Sequence, residues 1–102
     1  MEIKYSYSNS TLVIYFVGEL DEHSAKPARE RLDELIDSLY VESAIYELTG
    51  LNFTDSTGIG LMLGRYKKLK NKGANVFIKG AKPNIEKVLL TSGLYSVMPR
   101  IG

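Results

Sequence analysis

The 102-residue chain has no cysteine, which excludes thiol nucleophiles, disulfides and cysteine-ligated zinc and suits a reducing compartment. It has one histidine, His23, in a polar stretch ahead of a helical pattern, so a serine nucleophile would have a single imidazole to draw on. Charge of one sign is not in excess either. Thirteen Lys and Arg face twelve Asp and Glu, for a net charge of +1. No global field then draws the protein to nucleic acid or anionic lipid, and neither is expected as a partner. No apolar run reaches the ~20 residues that span a bilayer. The opening "MEIKYSY" lacks the apolar core of a signal peptide, so a cytoplasmic location is expected. Linkers, repeats and low-complexity segments are also missing. What remains is one soluble domain, long enough to bury a core without a disulfide or metal staple.

The apolar residues that are present change period along the chain. Ile3, Tyr5 and Tyr7 alternate with polar neighbours, "SNS" makes a turn, and "TLVIYFVG" follows as a more buried strand, so residues 2 to 18 read as a β-hairpin. After "GELDEH" the spacing of Ala25, Ala28, Leu32, Leu35, Ile36 and Leu39 is helical, with Ser24 as N-cap and Pro27 in the first turn. A short central strand is predicted at about residues 44 to 48. Asp55 then caps a helix whose apolar residues are Ile59, Met62, Leu63, Tyr66 and Leu69, closed by Gly73. "ANVFIKG" reads as a buried strand, and "KPNIEKVLLTSG" as a short helix from Pro83 to before Gly93. A last edge strand is predicted in "LYSVMP", stopped by Pro99. Strand, helix, strand units imply parallel crossovers. The expected fold is a single α/β domain over 1–102: a mixed, mostly parallel sheet of four to five strands, an N-terminal hairpin and three or more helices.

Enzyme patterns fail one by one. Glycines 58, 60 and 64 suggest a dinucleotide fingerprint, but that pattern needs glycine at position 63, where Leu63 stands. A phosphate-binding P-loop and the nucleophile-elbow pattern G-x-S-x-G are both missing. Glu19, Asp21 and Glu22 are acidic without EF-hand spacing, and read as surface or helix-start residues. The basic run "RYKKLKNK", residues 65 to 72, reads as a solvated helix face. No metal, cofactor or catalytic residue is expected.

The stretch "TDSTG" stands apart. Asp55, Ser56 and Thr57 can each accept hydrogen bonds from the free N–H groups of a first helical turn, and capping alone accounts for much of the pattern. A serine at the first helical position also holds its hydroxyl outward beside unpaired donors and the positive end of the helix dipole. A phosphate added there would be tolerated by the fold. It would bring roughly −1.5 to −2 charge beside Asp55 and repel a partner fitted to the neutral face.

The segment from "LNFTDSTGIGLMLGRYKK" to "LLTSGLYSVM", with "GELDEHSA" upstream, resembles the anti-sigma factor antagonists of the STAS-domain family. "DSTG" followed by "GIGLMLGRYK" is similar to their sporulation branch. The resemblance implies that Ser56 is a phosphoacceptor, that the kinase is the ATP- or ADP-bound anti-sigma factor itself, and that a separate serine phosphatase resets the switch. Only the unphosphorylated chain would bind the kinase and release a sigma factor. By position, Asp55 would flank or orient the acceptor, Thr57 and Gly58 would shape the first turn, and Asp21 would lie near the acceptor at the binding face. Ile59, Gly60 and Met62 become candidates for partner contact, with Ile59 and Met62 equally able to be core. Serine is commoner in the family where Thr57 stands, which leaves a second hydroxyl beside Ser56. A stress-response branch with another kinase and a small-ligand or nucleotide-binding module that uses residues 55 to 60 as an anion site remain open alternatives.

Overall fold

Asn9 and Ser10 both adopt left-handed backbone angles, φ 51° and 63°, and turn the chain back on itself in two residues. This joins β1 (Glu2–Ser8) to β2 (Thr11–Leu20) as the predicted antiparallel hairpin. The computed structural model describes all 102 residues, which continue as α1 (Ala25–Ser38), β3 (Ser43–Glu47), β4 (Leu51–Thr54), α2 (Ser56–Asn71), β5 (Asn75–Lys79) and α3 (Pro83–Ser92). The sheet order is β1-β2-β3-β5, with β4 pairing β2 beyond the point where β3 leaves it. All pairings except β1 with β2 are parallel, as helical crossovers require.

Alternation on the strands sets the core. Leu12, Ile14 and Phe16 of β2, Ala44 and Tyr46 of β3, and Val76 and Ile78 of β5 are buried, and all belong to one cluster with Leu32 and Ile36 of α1 and Met62 and Leu69 of α2. Phe16 and Tyr46 meet edge to face, with ring centroids 5.4 Å apart. The Tyr46 hydroxyl donates to the Met62 carbonyl at 2.9 Å. Burial pushes the Tyr46 phenol far above the usual tyrosine range, so this donor keeps its proton. On the opposite face of the sheet Val13, Ile45 and Phe77 are only half-buried.

Three sequence expectations are corrected. "LYSVMP" is not a strand: Leu94–Ser96 form a 3-10 turn, and Leu94 and Met98 enter the core. The edge of β5 is met instead by residues 99–101, through a bridge from Ile78 to Arg100. The fifth strand is β4, over residues to which the sequence pattern assigns no element. The basic run on α2 is not a solvated face throughout. Arg65, Lys68 and Lys72, spaced along one side of the helix, turn to α1. Arg65 Nε lies 3.0 Å from the Asp33 carboxylate, close enough for ion pairing although not aligned as a hydrogen bond. Lys68 lies 3.0 Å from Asp37 and 3.3 Å from Asp33, and the Asp37 carboxylate raises its pKa. Lys72 donates to the Ile36 and Leu39 carbonyls at the end of α1.

Helix ends follow the sequence signals. Gly73, at φ 85°, closes α2, with the Ala74 N–H donating back to Leu69 at 2.9 Å. Ser24 occupies the N-cap position of α1, but its hydroxyl donates to the Glu19 carbonyl at 2.8 Å and does not cap the helix.

Removal of the buried Tyr46 hydroxyl tests the β3–α2 contact. Tyr46→Phe is expected to lower unfolding free energy by about 1 kcal/mol with an unchanged urea m-value. Urea denaturation followed by circular dichroism checks this.

Candidate functional site

Asp55 is the hinge of the site. Its backbone is extended at the N-cap of α2, and one carboxylate oxygen, Oδ1, accepts the Gly58 N–H at 3.0 Å. The other, Oδ2, accepts the Glu22 N–H at 3.2 Å from the loop between β2 and α1. One side chain therefore caps the helix and ties it to the neighbouring loop.

That loop has its own order. Asp21 Oδ1 accepts the backbone N–H groups of His23 and Ser24 at 3.0 and 3.1 Å. Partial burial raises the Asp21 pKa, but these hydrogen bonds and the nearby imidazole outweigh it and hold the carboxyl below its usual range. With the folded pKa depressed, the contribution of Asp21 is in place at neutral pH and is lost as pH falls through the carboxylate range. His23 itself is exposed, and its Nε2 lies 3.7 Å from Glu22.

Below Asp55, Thr54 is buried and its hydroxyl donates to the Leu20 carbonyl at 2.9 Å. This bond pins the end of β4 to the end of β2. It also explains Gly58, because a Cβ on Gly58 would collide with the Thr54 hydroxyl and lie 2.6 Å from the Leu20 carbonyl oxygen. Gly60 faces open space.

The sequence-predicted residues divide accordingly. Ser56, Thr57 and Gly60 are exposed on the first turns of α2, and Asp21 and Asp55 are half-buried beside them. Ile59 is 9% exposed, at the margin of the core. Of the two places open to Met62, it takes the core: it is wholly buried and its carbonyl accepts the Tyr46 hydroxyl, so its side chain forms no part of the outer face. Gly58 is also buried, and its place is structural.

Sequence reasoning missed Thr54, the Glu22 N–H and the position of α3 beside Ser56. A groove of about 490 Å³ runs between the start of α2 and α3, lined by Asp55, Ser56 and Ile59 on one side and Lys87, Val88 and Thr91 on the other. No spacing in the sequence announces that α3 would stand there. No cluster of three His, Cys, Asp or Glu side chains that could hold a metal ion is present. No helix is long and apolar enough to cross a membrane. Chemically, the site offers an exposed hydroxyl at a helix start, free first-turn donors and a lysine across a groove.

Compared with known families, residues 2–101 match the STAS domain. An anti-sigma F factor antagonist of Paenibacillus polymyxa is 33% identical over 99 residues, covering 97% of this chain and 85% of the relative. One from Lysinibacillus sphaericus is 36% identical over 87 residues, 85% of this chain and 74% of the relative. An anti-sigma-B factor antagonist of Listeria monocytogenes is 23% identical over 87 residues, 83% of this chain and 74% of the relative. Among solved structures, the anti-sigma factor antagonist SpoIIAA in its unphosphorylated form superposes with a TM-score of 0.82 at 29% identity, over 99% of this chain and 89% of that one.

The two glycines give opposite expectations. Gly58→Ala is expected to cost about 1–3 kcal/mol through overpacking against Thr54 and Leu20, whereas Gly60→Ala is expected to stabilise by up to about 1 kcal/mol through helix propensity. Paired thermal melts of the two variants check this.

Proposed function

The chain belongs to the STAS-domain family, and we propose that within it the protein acts as an anti-sigma factor antagonist of the sporulation type, switched by phosphorylation of Ser56. Unphosphorylated, it binds an ATP- or ADP-bound anti-sigma factor serine kinase and frees the sigma factor. A phosphate on Ser56 ends that binding, and a serine phosphatase restores it. The setting proposed is the cytoplasm, where kinase and sigma factor would meet it.

The observation that carries this reading is the exposed Ser56 hydroxyl at the first position of α2, next to the Asp55 cap. A phosphate there meets first-turn N–H groups that have no partner within the helix, so the fold tolerates it. The added charge stands beside the Asp55 carboxylate on the outer face, so a partner fitted to the neutral surface is repelled. The higher identity to anti-sigma F than to anti-sigma-B factor antagonists favours the sporulation branch over the stress-response branch. Catalysis is assigned to the partner, and this chain is substrate and ligand.

The groove between α2 and α3 favours one second reading, a module that binds a small phosphate-bearing ligand beside Ser56. That reading requires saturable binding of such a ligand by the isolated chain, whereas the switch requires a protein partner.

Incubation with an anti-sigma F-type kinase and ATP, followed by fragment mass spectrometry, is expected to place one phosphate on Ser56. Ser56→Ala should accept none and still bind the kinase. Ser56→Asp should weaken binding only in part, because a carboxylate carries less charge and fewer acceptor oxygens than phosphate. Phosphate on Ser56→Ala would overturn the assignment, and phosphate on Thr57 in the parent chain would move the site by one residue.

A further inference from the structure

The two edges of the sheet are finished differently. Along β5, the Ile78 N–H donates to the Pro99 carbonyl at 3.0 Å and the Ile78 carbonyl accepts from Ile101 at 2.9 Å, so the C-terminal segment partly pairs that edge. At the other end of the sheet, β1 has a strand neighbour on one side only.

The hairpin turn decides which backbone groups of β1 are free. In a two-residue hairpin the flanking residues, here Ser8 and Thr11, form a hydrogen-bonded pair, and such pairs recur at every second residue. Ser8, Ser6, Lys4 and Glu2 therefore bond to β2, while Ile3, Tyr5 and Tyr7 turn their N–H and C=O groups outward. Natural edges are commonly blunted by proline, a bulge or charge. β1 has no proline, and its register with β2 runs unbroken from Glu2 to Ser8. Its one lysine, Lys4, restricts the registers open to an added strand.

The same three residues carry their side chains to the α1 side of the sheet, opposite Phe16, Ile14 and Leu12. α1 does not cover them fully: Tyr5 is 46% and Tyr7 38% exposed. A groove of about 380 Å³ lies between β1 and α1, lined by Met1, Ile3, Pro27, Ala28 and Arg31 among others. The Arg31 guanidinium sits 5.8 Å from the Tyr5 ring centre.

We propose that β1 pairs antiparallel with β1 of a second copy about a two-fold axis at Tyr5, joining the two sheets into one. This register sets Ile3 against Tyr7, Tyr5 against Tyr5 and Tyr7 against Ile3, each pair exchanging both of its backbone hydrogen bonds. Lys4 then lies opposite Ser6, and Glu2 opposite Ser8. An axis at Lys4 would set two lysines face to face, which is destabilising. An axis at Ser6 would set Ile3 against Asn9, a turn residue. In the Tyr5 register each Tyr7 ring packs beside Ile3 of the other copy, at the mouth of its groove, which gives the exposed tyrosines an apolar surface and places them near Arg31. A single strand pair is smaller than a standard interface of roughly 1,200–2,000 Å², so the association is weak and reversible. It is independent of the switch at Ser56.

Sedimentation velocity from about 10 μM to about 1 mM tests this, a range that covers weak complexes. A concentration-dependent monomer–dimer equilibrium is expected. Tyr5→Pro removes an outward donor without a bond to β2 and should abolish the dimer. Ser6→Glu, which faces Lys4 across the axis, should tighten it about two- to thirtyfold through two opposite-charge pairs, and Ser6→Lys should weaken it. Circular dichroism confirms the fold of each variant, and the Ser6 pair decides the matter if Tyr5→Pro fails to fold. A monomer throughout the range, a dimer that survives in folded Tyr5→Pro, or equal behaviour of Ser6→Glu and Ser6→Lys would overturn the proposal.

Discussion

The Asp55 carboxylate is the constraint on which the site depends. One oxygen caps α2 through Gly58, and the other holds the β2–α1 loop through Glu22. Each bond satisfies a backbone donor that would otherwise have to face water, and together they hold the loop and the helix start in one register. The same carboxylate is the negative charge nearest in sequence to Ser56. It therefore orders the surface that presents the hydroxyl and would repel a phosphate added there. A charge-assisted cap of this kind is stronger than a neutral one.

Beneath the platform, Thr54 and Gly58 form a lock. The Thr54 hydroxyl must reach the Leu20 carbonyl across the first turn of α2, and it can do so only because Gly58 has no side chain. The start of α2 is thus seated on the ends of β2 and β4, and Ile59 and Met62 turn inward from it. What is left outward, Ser56, Thr57 and Gly60, is small and polar or bare. Such a surface changes greatly in charge and bulk when one hydroxyl is esterified, while the core beneath it need not move.

Much of this was legible in the sequence, for identifiable reasons. The hairpin, the three helices and the strand at Asn75–Lys79 carry clear periods and end signals, and Asp55 reads as a cap from its position alone. β4 was not legible, because it spans only Leu51–Thr54 and exposes two adjacent residues, Asn52 and Phe53, in place of a clean alternation. "LYSVMP" misled because Leu94 and Met98 look like strand residues, yet the left-handed Gly93 starts a 3-10 turn that buries both from one side. Arg65, Lys68 and Lys72 could be placed on one helix face, but their acidic partners on α1 become neighbours only in the folded chain. The same holds for Thr54, the Glu22 N–H and Lys87 of α3, whose relation to Ser56 is made by tertiary packing alone.

The central claim is that phosphorylation of Ser56 changes partner binding by charge and bulk and leaves the fold intact. The most direct test titrates an anti-sigma F-type kinase with the unphosphorylated and the Ser56-phosphorylated chain, with amide NMR spectra recorded for both forms. The account predicts at least about a tenfold loss of affinity, about 1.4 kcal/mol, with amide shifts confined to the first turn of α2 and the adjoining loop. Equal affinity of the two forms, or spectral changes spread through the core strands, would contradict it.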